Sequence, residues 1–137
     1  MSGFRRIDYR NLNSRQQENY NFQKVAGRLA DYGFNCLRLS DDWQGADFIA
    51  CHIDGETILR VQLKGRLTID KKYIGKDIHI AFLYGDDCYI YPHDEFLEGI
   101  LDRGSLTEHS NVWQERGTRS WPQPPSWAIQ VLSEYRI

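Results

Sequence analysis

Asp54-Gly55 separates two runs rich in Ile, Val, Phe and Leu, residues 47–53 and 56–64. That dipeptide is a turn signal favouring a two-residue type I′ hairpin, and it constrains the chain because a hairpin fixes a register. With Ile53 opposite Glu56, the numbers of every further pair add to 109. Asp47 then stands opposite Gln62, their Cβ atoms about 5 Å apart, and Lys64 shares their face two residues on. The other face, Phe48, Ala50, Leu59, Val61 and Leu63, is apolar enough to lie on a core. A carboxylate, an amide and an ammonium are therefore expected together at the open end of the hairpin. The plainer alternative is a diagonal Asp47–Lys64 ion pair at a surface, which contributes little.

The rest of the chain reads as one pass of elements. Asn13 or Ser14 can cap a helix over about 15–32, carried by Phe22, Val25, Ala26 and Leu29 and ended by Gly33. A strand over 34–39 and a polar loop, Ser40-Asp41-Asp42-Trp43-Gln44-Gly45, lead to the hairpin. A second hairpin is expected from 78–84 through Gly85-Asp86-Asp87 to 88–91, closed by Pro92, which cannot donate to a ladder. A short helix near 94–101, an irregular segment over about 103–125 and a helix capped by Ser126 complete the order. Helix, strands, hairpin, strands and helix describe an α/β domain with a mixed sheet. At 137 residues the chain suits one domain, 1–137, with a core over about 14–92 and a C-terminal extension over about 93–137.

Glu18 lies on the same helical stripe as Phe22, Val25 and Leu29. A carboxylate facing inward needs a partner. It can sit near solvent at the helix start, where the macrodipole favours an acid, or it can point at the open end of the hairpin and join Asp47. In the second case Glu18, Asp47 and the backbone carbonyl of Leu63 offer the oxygen set that a hard cation such as Mg²⁺ takes up beside a substrate phosphate.

Net charge is −2, which argues against a general nucleic-acid coat. Its distribution argues otherwise: Arg60, Lys64, Arg66, Lys71, Lys72 and Lys76 stand against Asp70 alone, a local excess of +5. One segment is built to meet an anion; alternatively it is an ordinary solvated loop, which Gly65 and Gly75 would let move. Cys36, Cys51 and Cys88 lack disulfide or zinc spacing and read as small apolar thiols. Tyr73 reads as core, His52, His79 and His93 as packed or solvated, and Trp113, Trp121 and Trp127 as pins for the C-terminal segment. No apolar run is long enough for a membrane span or a signal peptide, so the default compartment is the cytoplasm.

Together Gly45-Ala46-Asp47, Gln62-Leu63-Lys64 and Glu18 resemble the PD-(D/E)XK nuclease superfamily over roughly residues 14–92. The core of that superfamily is a helix followed by a hairpin carrying Asp on one strand and (D/E)-x-K on the next. The resemblance implies a restriction-endonuclease-like fold, a mixed β-sheet with a central hairpin flanked by helices. It also implies metal-dependent phosphodiester hydrolysis, with Asp47 and Glu18 on Mg²⁺ or Mn²⁺, Gln62 completing the site and Lys64 orienting the attacking water. Ala46 replaces the proline of the pattern and Gln62 its second acid, as in some intron-encoded homing endonucleases.

The implied substrate is nucleic acid, DNA first, bound through Arg60, Arg66, Lys71, Lys72 and Lys76. A homodimer or higher homo-oligomer is implied if both strands are cut at once. Two readings compete with the enzyme: a nuclease-like domain whose Gln62 marks a lost metal site, serving as a DNA-binding or protein-interaction module, and a soluble domain with no nucleic-acid role.

Overall fold

The structure, a computed structural model, describes residues 2–104 and 112–137. Helix α1, Ser14–Ala30, starts where expected: Asn13 accepts from the Gln16 N–H while the Gln16 side chain accepts from the Asn13 N–H, a reciprocal cap. Gly33 beyond its end has φ +87°, the left-handed position that glycine takes without strain. Five strands form one mixed sheet in the order β1, β2, β3, β5, β6. They are β1 Phe34–Trp43, β2 Ala46–His52, β3 Ile58–Leu63, β5 Ile78–Tyr84 and β6 Asp87–Pro92. The β3–β5 contact is parallel and the others antiparallel.

In the central hairpin Phe48 faces Val61 and Cys51 faces Ile58, the register expected from the sequence. Its loop is different. His52 N–H donates to the Thr57 carbonyl, so four residues rather than two make the turn. The Asp54 side chain organises it: Oδ1 accepts from the Glu56 and Thr57 N–H groups and Oδ2 from the Thr57 hydroxyl. An even-length loop about the same centre leaves the facing pairs unchanged, which is why the wrong turn type still predicted the right register. Toward the turn the strands accordingly stop at His52 and resume at Ile58, inside the expected 53 and 56.

α1 covers one face of the sheet, burying Val25 and Leu29 against Phe48, Ala50, Val61, Ala81, Cys88 and Ile90. Leu59 and Leu63 pack at its margin. The other face is covered by residues that follow β3. Strand β4, Leu67–Asp70, pairs antiparallel with β7, Thr118–Trp121, in a second, two-stranded sheet. Helix α2, His93–Asp102, adds Phe96, Leu97 and Ile100; α3, Val112–Arg116, adds Trp113; and α4, Ser126–Leu132, adds Ala128 and Leu132.

Three expectations are therefore corrected. Residues 67–70 are a buried strand, because Leu67 and Ile69 are apolar on the core side and Tyr91 and His93 hold the backbone. The Tyr91 hydroxyl donates to the Thr68 carbonyl, and His93 Nε2 accepts from the Asp70 N–H. The stretch over 103–125 contains α3 and β7 where it is described; residues 105–111 lie outside the described residues. Ser126 opens α4 as its first residue and makes no side-chain cap. Burial pushes the Cys88 thiol up to about 11, consistent with a packing role, and all three cysteines are free. No helix among the described residues is long and apolar enough to cross a membrane.

Candidate active site

A distortion of β1 opens the site. Arg38 faces Phe48 and Trp43 faces Ala46, so four residues, Leu39 to Asp42, stand against Asp47 alone. The strand bows outward there. It returns through Gln44-Gly45 with φ +56° and +88°, both positive, as a type I′ turn requires. Gly45 is needed twice over, since a Cβ would also come within 3.1 Å of the Tyr73 ring. Its N–H donates to Asp42 Oδ1 at 2.8 Å, which ties the bulge to the turn. Residues read as a polar loop thus form a strand end and a hairpin, and the tight two-residue turn is here instead of at Asp54-Gly55.

Under the bulge lies a cleft of about 280 Å³ lined by Glu18, Arg38, Leu39, Ser40, Asp41, Asp42, Asp47, Gln62 and Leu63. Three of the expected site side chains, Glu18, Asp47 and Gln62, meet here, together with Leu63. Asp47 is half-buried one residue past the last ladder pair, and its Oδ2 accepts from the Leu63 N–H at 2.9 Å. Its pKa is raised: burial is the main cause, partly offset by the Leu63 hydrogen bond, with Asp42 and Glu18 adding repulsion and Lys64 opposing it. Gln62 Nε2 donates to the Leu63 carbonyl at 3.3 Å. Lys64, half-buried, borders the neighbouring hollow and carries its Nζ 5.4 Å from the centroid of the Tyr73 ring.

Sequence reasoning missed Arg38, Asp41 and Asp42. Arg38 is fixed by a hydrogen bond to the Asn19 side chain and lies over the Phe22 ring, bringing a cation to the α1 side of the cleft. A run of two aspartates close before Asp47 was the available signal. Its meaning depends on a bulge that residue pattern does not show.

The basic residues divide. Lys72 Nζ lies 5.2 Å from the Tyr73 centroid, so Lys64 and Lys72 share one buried ring beside the cleft. Arg60 stacks 4.9 Å from the Trp43 ring and donates to the Lys76 carbonyl. Lys71 is drawn away: its N–H donates to the Gly117 carbonyl and its Nζ lies 5.3 Å from the Trp113 ring. Arg66 and Lys76 are exposed. Gly75, expected to loosen the segment, is held by Asp94, which accepts from its N–H at 2.9 Å.

The donor set suits a hard divalent cation. Among the described residues Asp47 Oδ1 has no hydrogen-bond partner, and burying the carboxylate beside Asp42 and Glu18 leaves negative charge for a cation to neutralise. Among the described residues no group of three or more His, Cys, Asp or Glu converges on one point, so water and the Leu63 carbonyl would complete any coordination sphere.

No protein-family model and no curated protein matches the sequence. Among solved structures, a bacterial homing endonuclease is similar over 62% of this chain and 69% of its own, at 18% identity and a TM-score of 0.46. The Holliday junction resolvase Hjc of Archaeoglobus fulgidus, an archaeal hyperthermophile, is similar over 51% of this chain and 74% of its own, at 14% identity and a TM-score of 0.40. The chain's own topology is a mixed α/β core, a helix on a five-stranded sheet whose central hairpin is followed by a parallel crossover.

Proposed function

We propose that this chain hydrolyses phosphodiester bonds in nucleic acid, DNA first, with Mg²⁺ or Mn²⁺ as cofactor. The observation that carries the reading is the juxtaposition across β2 and β3: Asp47 hydrogen-bonded to Leu63, Gln62 in the same cleft and Lys64 next along the chain. Asp47, Glu18 and the Leu63 carbonyl would hold the ion. When bound, such an ion polarises a phosphate oxygen and lowers the pKa of a coordinated water. The protein's own groups supply the rest. Lys64 brings a positive charge beside Asp47, where its ammonium can donate to the attacking water or to a non-bridging phosphate oxygen. The Gln62 NH₂ can donate to a phosphate that a carboxylate would repel.

Lys72, Arg60, Arg66 and Lys76 would position the sugar–phosphate backbone without reading its sequence. Lys71 contributes from farther round the surface. Cutting both strands of a duplex at one place would take two copies of the site, so a homodimer is part of the reading.

The test is cleavage of plasmid and single-stranded DNA with Mg²⁺ or Mn²⁺. Activity lost in both Asp47→Ala and Lys64→Ala supports the proposal; a parent that neither binds the ions nor cleaves overturns it. The second reading, binding without hydrolysis, is favoured by Gln62, whose amide is turned onto the Leu63 carbonyl that a cation would need. It predicts DNA binding that is indifferent to metal.

A further inference from the structure

A second hollow, about 290 Å³, opens on the α1 side of Lys64. Tyr9, Tyr20 and Leu83 supply its apolar walls, with Asn21, Lys64 and Gly65 also lining it; Lys64 follows Leu63, which lines the cleft. Tyr9 and Tyr20 meet edge to face, ring centroids 5.2 Å apart. Neither ring belongs to either core cluster, and Tyr9 sits in a one-turn 3-10 segment with no buried residue. Even so it is tied down, since Gln17 Nε2 donates to its carbonyl. The fold therefore positions two aromatic side chains that its core does not use. Lys24 Nζ lies 5.4 Å from the Tyr20 centroid. A Cβ on Gly65 or Gly85 would meet nothing within 4 Å, which leaves room for a ligand to approach the backbone.

We propose that this hollow receives an unstacked nucleobase of the strand whose phosphate lies at the Asp47 cleft. The proposal rests on the nucleic-acid reading above and narrows its substrate to single-stranded or locally opened DNA. Aromatic walls offer stacking surface to any base, the Asn21 amide offers donors and an acceptor to a base edge, and Lys64, which lines the hollow, and Lys24, over the Tyr20 ring, offer cations for the adjoining phosphates. Leu63 and Lys64, consecutive residues, border the two hollows, so one strand can occupy both.

The test compares single-stranded oligothymidylate with an abasic sugar–phosphate strand of equal length, bound in EDTA so that no cleavage enters. The parent should bind the base-bearing strand about tenfold or more tightly, the scale of one base stacked on an aromatic side chain. Tyr20→Ala should remove the difference and Tyr20→Phe should keep it. Gly65→Leu, at an exposed position without positive φ, should plug the hollow and remove the difference while leaving the thermal transition unchanged. A parent that treats the two strands alike, or a preference that survives both Tyr20→Ala and Gly65→Leu, overturns the proposal. Base preference without cleavage would sink the hydrolase reading and leave the pocket standing. Cleavage without base preference would do the reverse.

Discussion

The Leu63 backbone N–H donates to the Asp47 side chain, not to a backbone carbonyl of β2, at the point where the β2–β3 ladder has run out. One carboxylate oxygen thereby closes the end of the β2–β3 ladder, and the other has no hydrogen-bond partner among the described residues. Opposite Asp47 the β1–β2 register is broken, so Leu39 to Asp42 stand against that residue alone and line the same cleft.

Asp47→Asn should separate these two duties. The amide oxygen can still accept from Leu63, so the fold should persist while cleavage is lost. Because burial raises the Asp47 pKa, the folded protein holds that proton more tightly than the unfolded one, and stability falls as pH rises from the ordinary aspartate value through the raised one. Without metal, Asp47→Asn should match the parent near pH 3 and exceed it in Tm near pH 7. Mg²⁺ at about 100 times its Kd should stabilise the parent by about 2.7 kcal/mol, raising its Tm by several degrees, and leave the variant unmoved. Thermal melts at both pH values, with and without Mg²⁺, check this; equal Mg²⁺ shifts would rule Asp47 out as a ligand.

The Asp54 turn carries the opposite pH sign. Hydrogen bonds from Thr57 above all, with Glu56, hold its carboxyl well below the usual range. The stability it contributes is fully present above the unfolded value of about 3.9 and is lost as pH falls through it toward the folded one. Between pH 5 and 2 the parent should therefore lose more stability than Asp54→Asn. Urea midpoints across that range provide the comparison, and parallel losses would show that the turn does not depend on the ionised form.

How much of this was legible follows from where each signal resides. The central register depends on two local β runs and an even loop, so the facing of Phe48 with Val61 and of Cys51 with Ile58 was legible although the turn itself was misread. The tight turn falls at Gln44-Gly45, where Gln takes positive φ without the side-chain chemistry that marks Asn or Asp. Strand β4 was hidden inside a basic stretch because its partner β7 lies some fifty residues on, and pairing at that distance leaves no periodic trace. Asp41 and Asp42 looked like loop residues because their place in the site comes from the β1–β2 mismatch, which exists only after both strands have paired.

Salt dependence should resolve the basic residues. Each phosphate neutralised contributes roughly 0.9 to the slope of log K against log salt for duplex DNA. Replacing both Lys71 and Lys72 with Ala should flatten the slope by roughly one to two units. Since Lys72 shares the Tyr73 ring with Lys64 while Lys71 lies over Trp113, Lys72→Ala alone should produce more of the change. Fluorescence titrations on one duplex between low and moderate salt measure it, and an unchanged slope in the double variant would place the bound DNA on another surface.

Gln62→Glu tests the cleft from the other direction. In the parent, the Gln62 amide donates to the Leu63 carbonyl; a glutamate carboxylate cannot, and it adds negative charge where Asp42 and Glu18 already repel the Asp47 carboxylate. Without metal the variant should melt below the parent, because like charges are forced together and a hydrogen bond is lost. With metal the order should reverse: a carboxylate is a better ligand for a hard cation than an amide and no longer competes for the Leu63 carbonyl. An affinity gain of about tenfold for Mg²⁺ corresponds to roughly 1.4 kcal/mol. Gln62→Ala, which removes both the donor and the charge question, should lower cleavage without that gain. Calorimetric Mg²⁺ and Mn²⁺ titrations of the three proteins decide the matter: a Gln62→Glu variant that loses metal-free stability and gains no affinity would mean that the acidic residues of this cleft are not arranged around a cation.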